Sequence, residues 1–175
     1  MNTEKYHLSL RILHWVMALI ILALIASGWY MHHLDNSVPY KFDLYALHKS
    51  FGVMILILFF VRGLTRLLTL VPALPGSIST AERHLAHSVH AFLYISMLLV
   101  PLSGYIMSDA GGYGVKLFGL PMPHLFNGEG LAYLAHTFHH YSAYVLLAFI
   151  GLHVAGAVKH QWFDKPRKNI LSRML

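Results

Sequence analysis

Cysteine is absent from all 175 residues. That removes iron–sulfur clusters, thiolate-ligated haem, blue-copper centres, disulfides and covalent C-x-x-C-H attachment of a tetrapyrrole. Charge is also scarce, at 11% of residues against about 25% in a soluble globular domain. Acidic side chains number only seven against thirteen basic ones. No phosphate cradle is present either: Gly111-Gly112-Tyr113-Gly114 has neither a preceding strand nor a following Lys-Ser/Thr pair. There is no internal repeat, no low-complexity tract and no second domain, so residues 1–175 read as one unit.

What fills the space is apolar sequence, 57% of the chain. Four runs, at residues 8–31, 46–68, 85–107 and 131–158, each exceed the roughly 20 residues that cross a bilayer's hydrocarbon core. The chain is expected to be an all-α, four-helix transmembrane bundle in the bacterial inner membrane. The first run is too long for a signal peptide and is interrupted by His14, so it reads as a retained span. Trp29 and Tyr30 at its far end suit an interfacial belt.

Orientation follows from the basic residues. If four spans alternate, Lys5, Arg11, Arg62, Arg66, Arg83, Lys159, Lys165, Arg167, Lys168 and Arg173 share one side, and only Lys41, Lys49 and Lys116 the other. The positive-inside rule then places both termini in the cytoplasm. The net charge of +6 sits where anionic lipid head groups attract it, so no nucleic-acid partner is needed to explain it.

Between the spans, Pro72, Pro75, Gly76, Ser77, Ser79 and Thr80 break the inner connector, with Ser79 or Thr80 placed to cap the helix before Glu82. Pro101 and Gly104 bend or open the third span. The longest connection, 108–130, is rich in glycine and proline around an apolar stretch, 115–120, expected to lie along the outer membrane surface. The eight methionines read as packing residues.

Histidine is the residue in excess, with fourteen. A neutral imidazole carries a donor and an acceptor that hydrocarbon cannot satisfy, so each one inside a span needs a partner, a ligand or a proton. His139 and His153 are fourteen residues apart, within about 40° of one helix face and about 21 Å apart along the axis. His14 matches the inner depth of His153, and His48 the outer depth of His139. Low-spin haem iron takes one imidazole above the ring and one below, so two such pairs on facing helices suit two haem b groups. His136, one turn before His139 and near the same face, competes for the outer place. A zinc site from His136 with His140 is a weaker reading, because such pairs are common by chance.

His84, His87 and His90 recur on one stripe at the inner end of the third span. They form either an interfacial polar edge or a site for a quinone head group or haem propionate, the latter applying to His87 and His90 more than to His84. Arg62, fourteen residues after His48, reads as a propionate partner at inner depth, and Arg66 as part of the cytoplasmic belt. Gly52, Gly104, Gly151 and Gly156 fit close approach of flat rings or helices, although glycine is ordinary in membrane helices.

These residues in this order resemble the bacterial cytochrome b561 family, small four-helix dihaem membrane cytochromes related to the b subunits of formate dehydrogenase and nickel–iron hydrogenase. The likeness rests on His14-Trp15, His48 with Gly52 and the Arg62/Arg66 ending, His87 and His90 before Pro101 and Gly104, and His139 with Gly151-Leu152-His153. It spans nearly the whole chain. It implies inner ligands His14 and His153, outer ligands His48 and His139, and electron transfer between a donor or acceptor and ubiquinone or another quinone. One branch of similar length is a superoxide oxidase, passing electrons from periplasmic superoxide to ubiquinone. For that substrate His32, His33, Lys41, Lys49, Lys116 and His124 offer a positive outer mouth, diluted by Asp35, Asp43, Asp109 and Glu129. The rival reading is a non-enzymatic cytochrome b anchor relaying electrons for a periplasmic or other redox partner; a bundle without cofactor is the third.

Overall fold

In the computed structural model, residues 5–73, 76, 78–164 and 169–175 are described. Pro75, Ser77, Lys165, Arg167 and Lys168 lie outside them. Four long helices dominate: α1 (Leu8–His33), α2 (Lys41–Leu68), α3 (Thr80–Ala110) and α4 (Glu129–Val158). All four are long and apolar enough to cross a membrane, the last when taken through Phe163. Large apolar side chains such as Leu19, Phe60, Leu64 and Leu152 remain more than half exposed along them. In water such a surface would drive aggregation, whereas in hydrocarbon it costs nothing.

The helices outrun the apolar runs at most ends. Lys41–Tyr45 opens α2 because Lys41 is consumed by the preceding turn: its ammonium donates to the Leu34 carbonyl (2.6 Å) and to Asn36 Oδ1 (2.9 Å). Ser79 starts α3 with a complete capping box, its hydroxyl accepting from the Glu82 amide (3.3 Å) and its amide donating to the Glu82 carboxylate (3.2 Å). Two orphan donors of the first turn are thereby satisfied. After α4 the chain runs on through a π-helical turn, Lys159–Phe163. There Lys159 pairs with Glu82 and His160 with Asp164, which ties the end of α4 to the start of α3.

In sequence order each helix packs on the next, whereas α1 and α4 stand apart along their backbones. The buried core (Met17, Ile21, Ile55, Val100 and Leu146) is formed by all four helices. At the end of the bundle where α1 begins and α4 finishes, the inner end under the charge expectation, a turn at Leu171–Arg173 folds back on α1: the Tyr6 amide donates to the Arg173 carbonyl (3.1 Å) and the Trp15 indole to the Met174 carbonyl (2.9 Å).

The 115–120 stretch forms a two-stranded antiparallel hairpin, β1 (Lys116–Leu117) with β2 (Leu120–Pro121), turned at Phe118 and Gly119, both with positive φ. It is anchored on the outer end of α2. Ser50 Oγ donates to the Lys116 carbonyl (2.9 Å) and accepts from the Phe118 amide (3.1 Å). Lys49 donates to the Gly114 carbonyl (2.9 Å). Asp109, only 2% exposed, holds the rest of the loop by accepting from the amides of Leu125 (2.7 Å) and Phe126 (2.8 Å) and from His124 (2.6 Å).

Candidate functional site

Two imidazole pairs face each other inside the bundle at two depths. His14 of α1 and His153 of α4 have ring centres 6.0 Å apart, and His48 of α2 and His139 of α4 6.3 Å apart. All four rings are only half-buried, so neither pair is sealed in packed side chains. His136 makes no ring contact with His48; its neighbour is His140, at 6.4 Å.

The outer pair is held by neighbours of definite polarity. His139 Nδ1 lies 2.8 Å from the Val100 carbonyl, which can only accept, so Nδ1 carries the proton and Nε2 keeps its lone pair. His48 Nδ1 lies 3.1 Å from Ser27 Oγ, and that hydroxyl spends its own proton on the Leu24 carbonyl at 3.1 Å. His48 therefore also donates through Nδ1 and presents Nε2. This is the arrangement that orients a metal-ligating imidazole and raises its basicity.

Space for these rings comes from two glycines. A Cβ at Gly104 would meet His139 Cε1 at 2.9 Å, and one at Gly28 would meet His48 Cε1 at 3.2 Å. Around Gly52 nothing lies within 4 Å. The role of Gly28 escaped the sequence reading, since nothing local marks which ring will face a glycine across a bundle. Between the outer histidines opens a cavity of about 1170 Å³ with largely apolar walls, from Ile21 and Val100 at its floor to Tyr45, Tyr133 and His140.

The inner pair has different company. His90 of α3 lies 5.1 Å from the His153 ring, with its Nδ1 bonded to the Ala86 carbonyl at 2.7 Å. Arg62 is buried and donates to the Leu10 carbonyl at 3.0 Å, one turn before His14. His84, His87 and Arg66 are exposed, and neither His87 nor His84 makes a ring contact or hydrogen bond with the inner pair.

Both ring separations can be tested against a shared metal. With metal–imidazole bonds of about 2 Å and a five-membered ring of radius about 1.15 Å, two collinear imidazoles have centres about 6.3 Å apart. The pairs, at 6.0 and 6.3 Å, fit. Among the described residues no group of three or more histidine or acidic side chains converges to cage an ion, so the fit is to a group that brings its own equatorial ligands. The outer cavity has the size and apolar lining such a flat ring needs.

A multi-pass helical bundle with facing imidazole pairs defines a membrane cytochrome of the b type. The chain matches the model of the prokaryotic cytochrome b561 family over residues 5–175 and belongs to that family. Among its relatives is cytochrome b561 homolog 2 of Escherichia coli (strain K12), 29% identical over 174 residues, covering 98% of this chain and 92% of that protein. Another is the probable superoxide oxidase CybB of Yersinia pestis, 28% identical over 166 residues, covering 93% and 91%.

Proposed function

We propose that this chain is a dihaem b electron carrier of the bacterial inner membrane, one domain over residues 1–175 with both termini cytoplasmic, that exchanges electrons with the quinone pool. The observation that carries this reading is the pair of imidazole pairs at metal-sharing distance on one bundle. His14 and His153 would hold an inner haem, and His48 and His139 an outer one. When bound, the haems supply one-electron chemistry.

The chain's own part is positional. Val100 and Ser27 fix the outer tautomers, Gly104 and Gly28 leave room for the rings, and the core between the two levels, with Leu146 midway along α4, excludes water. Arg62, already tethered to α1, offers its remaining N–H groups to a propionate at inner depth, and for a quinone head group there His87 provides a donor and His90, its Nδ1 proton spent on the Ala86 carbonyl, an Nε2 acceptor.

Superoxide is the electron donor this reading favours, on the name of the Yersinia relative and on the outer charge. Lys41 and Lys49 are bonded to carbonyls and His124 to Asp109 and Asn127, so these contribute field only, and His33 spends its Nδ1 proton on the Trp29 carbonyl, whereas Lys116 and His32 are exposed and can meet an anion.

The test is a haem-to-protein ratio with a reduced-minus-oxidised spectrum on wild type and on His14→Ala, His48→Ala, His139→Ala and His153→Ala. Two haems in wild type and one in each variant are expected; a variant that keeps both removes that residue from the ligand set. Purified protein that reduces quinone when given superoxide is the enzyme proposed, and one inert until a redox partner is added is a relay.

A further inference from the structure

Three imidazoles outside both pairs also line the outer cavity: His32 from the last turn of α1, and His136 and His140 from α4. The His32 and His140 rings are 5.4 Å apart across the seam where the α1 and α4 backbones stand apart, and His136 stacks toward His140 at 6.4 Å with ring planes 17° apart. None of the three has a hydrogen-bond partner among the described residues. Lys49, the cation on the cavity wall, is already bonded to Ser108 Oγ (3.2 Å) and the Gly114 carbonyl. Unspent N–H donors lining this cavity are therefore the three imidazoles, the Trp29 indole and the Asn36 amide, among the described residues.

Their depth is informative. On α1 the level of the outer pair is marked by Gly28, against the His48 ring, and His32 lies one turn, about 5–6 Å, further out. On α4, His140 is level with His139 and His136 about one turn further out. His32 and His136, one helical turn beyond a metal-sharing pair, stand where the edge of a flat macrocycle centred between His48 and His139 ends, and His140 lies beside them toward the seam. One edge of haem b carries two carboxylates, and a carboxylate brought into an apolar cavity needs donors to replace water.

We infer that His32, His136 and His140 form the binding site for the carboxylate edge of the outer haem, which therefore seats with its propionates toward the outer surface and the α1–α4 seam. Neutral imidazoles suffice, since each donates one N–H to an ionised oxygen, and such charge-assisted bonds are about twice as strong as neutral ones. This inference rests on the proposal that His48 and His139 ligate a haem.

The experiment follows haem transfer from purified holoprotein to excess apomyoglobin. In His32→Phe and in His32→Phe/His140→Phe, release of the outer haem is expected to accelerate by about tenfold for each hydrogen bond lost, with inner-haem release unchanged. Glutamine at the same positions, which keeps an N–H donor, restores slow release. Wild type loaded with the dimethyl ester of haem b should release it from the outer site as fast as the Phe variants release haem b. Wild-type release rates in the Phe variants, or equal acceleration by Phe and Gln, overturns the inference. Retention of both haems by His48→Ala or His139→Ala would instead overturn the reading beneath it.

Discussion

Gly104→Ala is the smallest change that should empty the outer site. The new methyl carbon would lie 2.9 Å from His139 Cε1 and 3.1 Å from Nδ1, whereas carbon contacts relax at about 3.5 Å or beyond. The imidazole must therefore move by about half an ångström or more. It cannot do so freely, because Nδ1 is bonded to the Val100 carbonyl on the same helix as the glycine. Overpacking of this kind costs about 1–3 kcal/mol, and straining the buried bond adds about another 1 kcal/mol, so outer-haem affinity should fall by at least tenfold. Gly28→Ala, at 3.2 Å from the His48 ring, needs a shift of only a few tenths of an ångström and should weaken the same site mildly. Gly52→Ala, with nothing within 4 Å, is the neutral control. The assay is the haem-to-protein ratio after purification, with the redox difference spectrum to show which haem is lost. A Gly104→Ala protein that keeps its outer haem with an unshifted spectrum refutes the argument, because the ring would then not be fixed where its bond to the Val100 carbonyl places it.

Other outcomes follow from the loops and caps. Ser79→Ala removes the capping box of α3 and should lower stability by about 1 kcal/mol, visible as a lower Tm in detergent with the spectrum unchanged; an unaltered Tm would show that the first turn of α3 is held by Lys159–Glu82 instead. The outer loop should loosen as pH rises. His124 faces two acceptors, Asp109 Oδ1 and Asn127 Oδ1, each at 2.6 Å, and these hydrogen bonds, with the Asp109 charge, hold its pKa above the ordinary histidine value. A folded-state pKa above the unfolded one gives stability that is full below the unfolded pKa and is lost as pH climbs through the folded one. Amide exchange across residues 111–128 should accordingly rise over that window in wild type and be pH-independent, beyond intrinsic chemistry, in His124→Gln; identical profiles would dismiss the contact as a sensor.

Legibility in the sequence tracked how local each signal was. The spans were readable because twenty apolar residues in a row need no tertiary knowledge, and the cap at Ser79 because Ser-x-x-Glu is a local motif. That His14 faces His153 and His48 faces His139 was readable from helix rise and chain reversal, which fix depth. Azimuth was harder to read. That His90, and not His87, also meets His153 depends on how α3 is rotated against α4, and a three-residue repeat on one broad stripe does not decide it. Gly104 and Gly52 looked alike in sequence, yet a ring faces one and nothing faces the other. Lys41, Lys49 and Asp109 read as contributors to an outer field, but the loop backbone claims them, because a connection with so many carbonyls and amides must find partners for them near the membrane surface.

The two pairs differ in what surrounds them, and the difference bears on the direction of electron flow. At the outer level both imidazoles donate through Nδ1, His139 to a carbonyl and His48 to a hydroxyl. Such donation makes the ligands more basic and favours the more positive, oxidised iron, which lowers the reduction potential. At the inner level no such acceptor among the described residues engages His14 or His153, and the buried cation Arg62 acts on both rings. A nearby positive charge favours the reduced iron and raises the potential. Electrons entering at the outer face would then run downhill to the inner haem, which suits an outer donor and an inner quinone. Two midpoints with the outer haem lower are expected in a redox titration. Arg62→Gln should lower the inner one alone, by on the order of 60 mV if the charge is worth about 1.4 kcal/mol at that site. An outer haem of higher potential, or an Arg62→Gln shift confined to it, would reverse the assignment of direction.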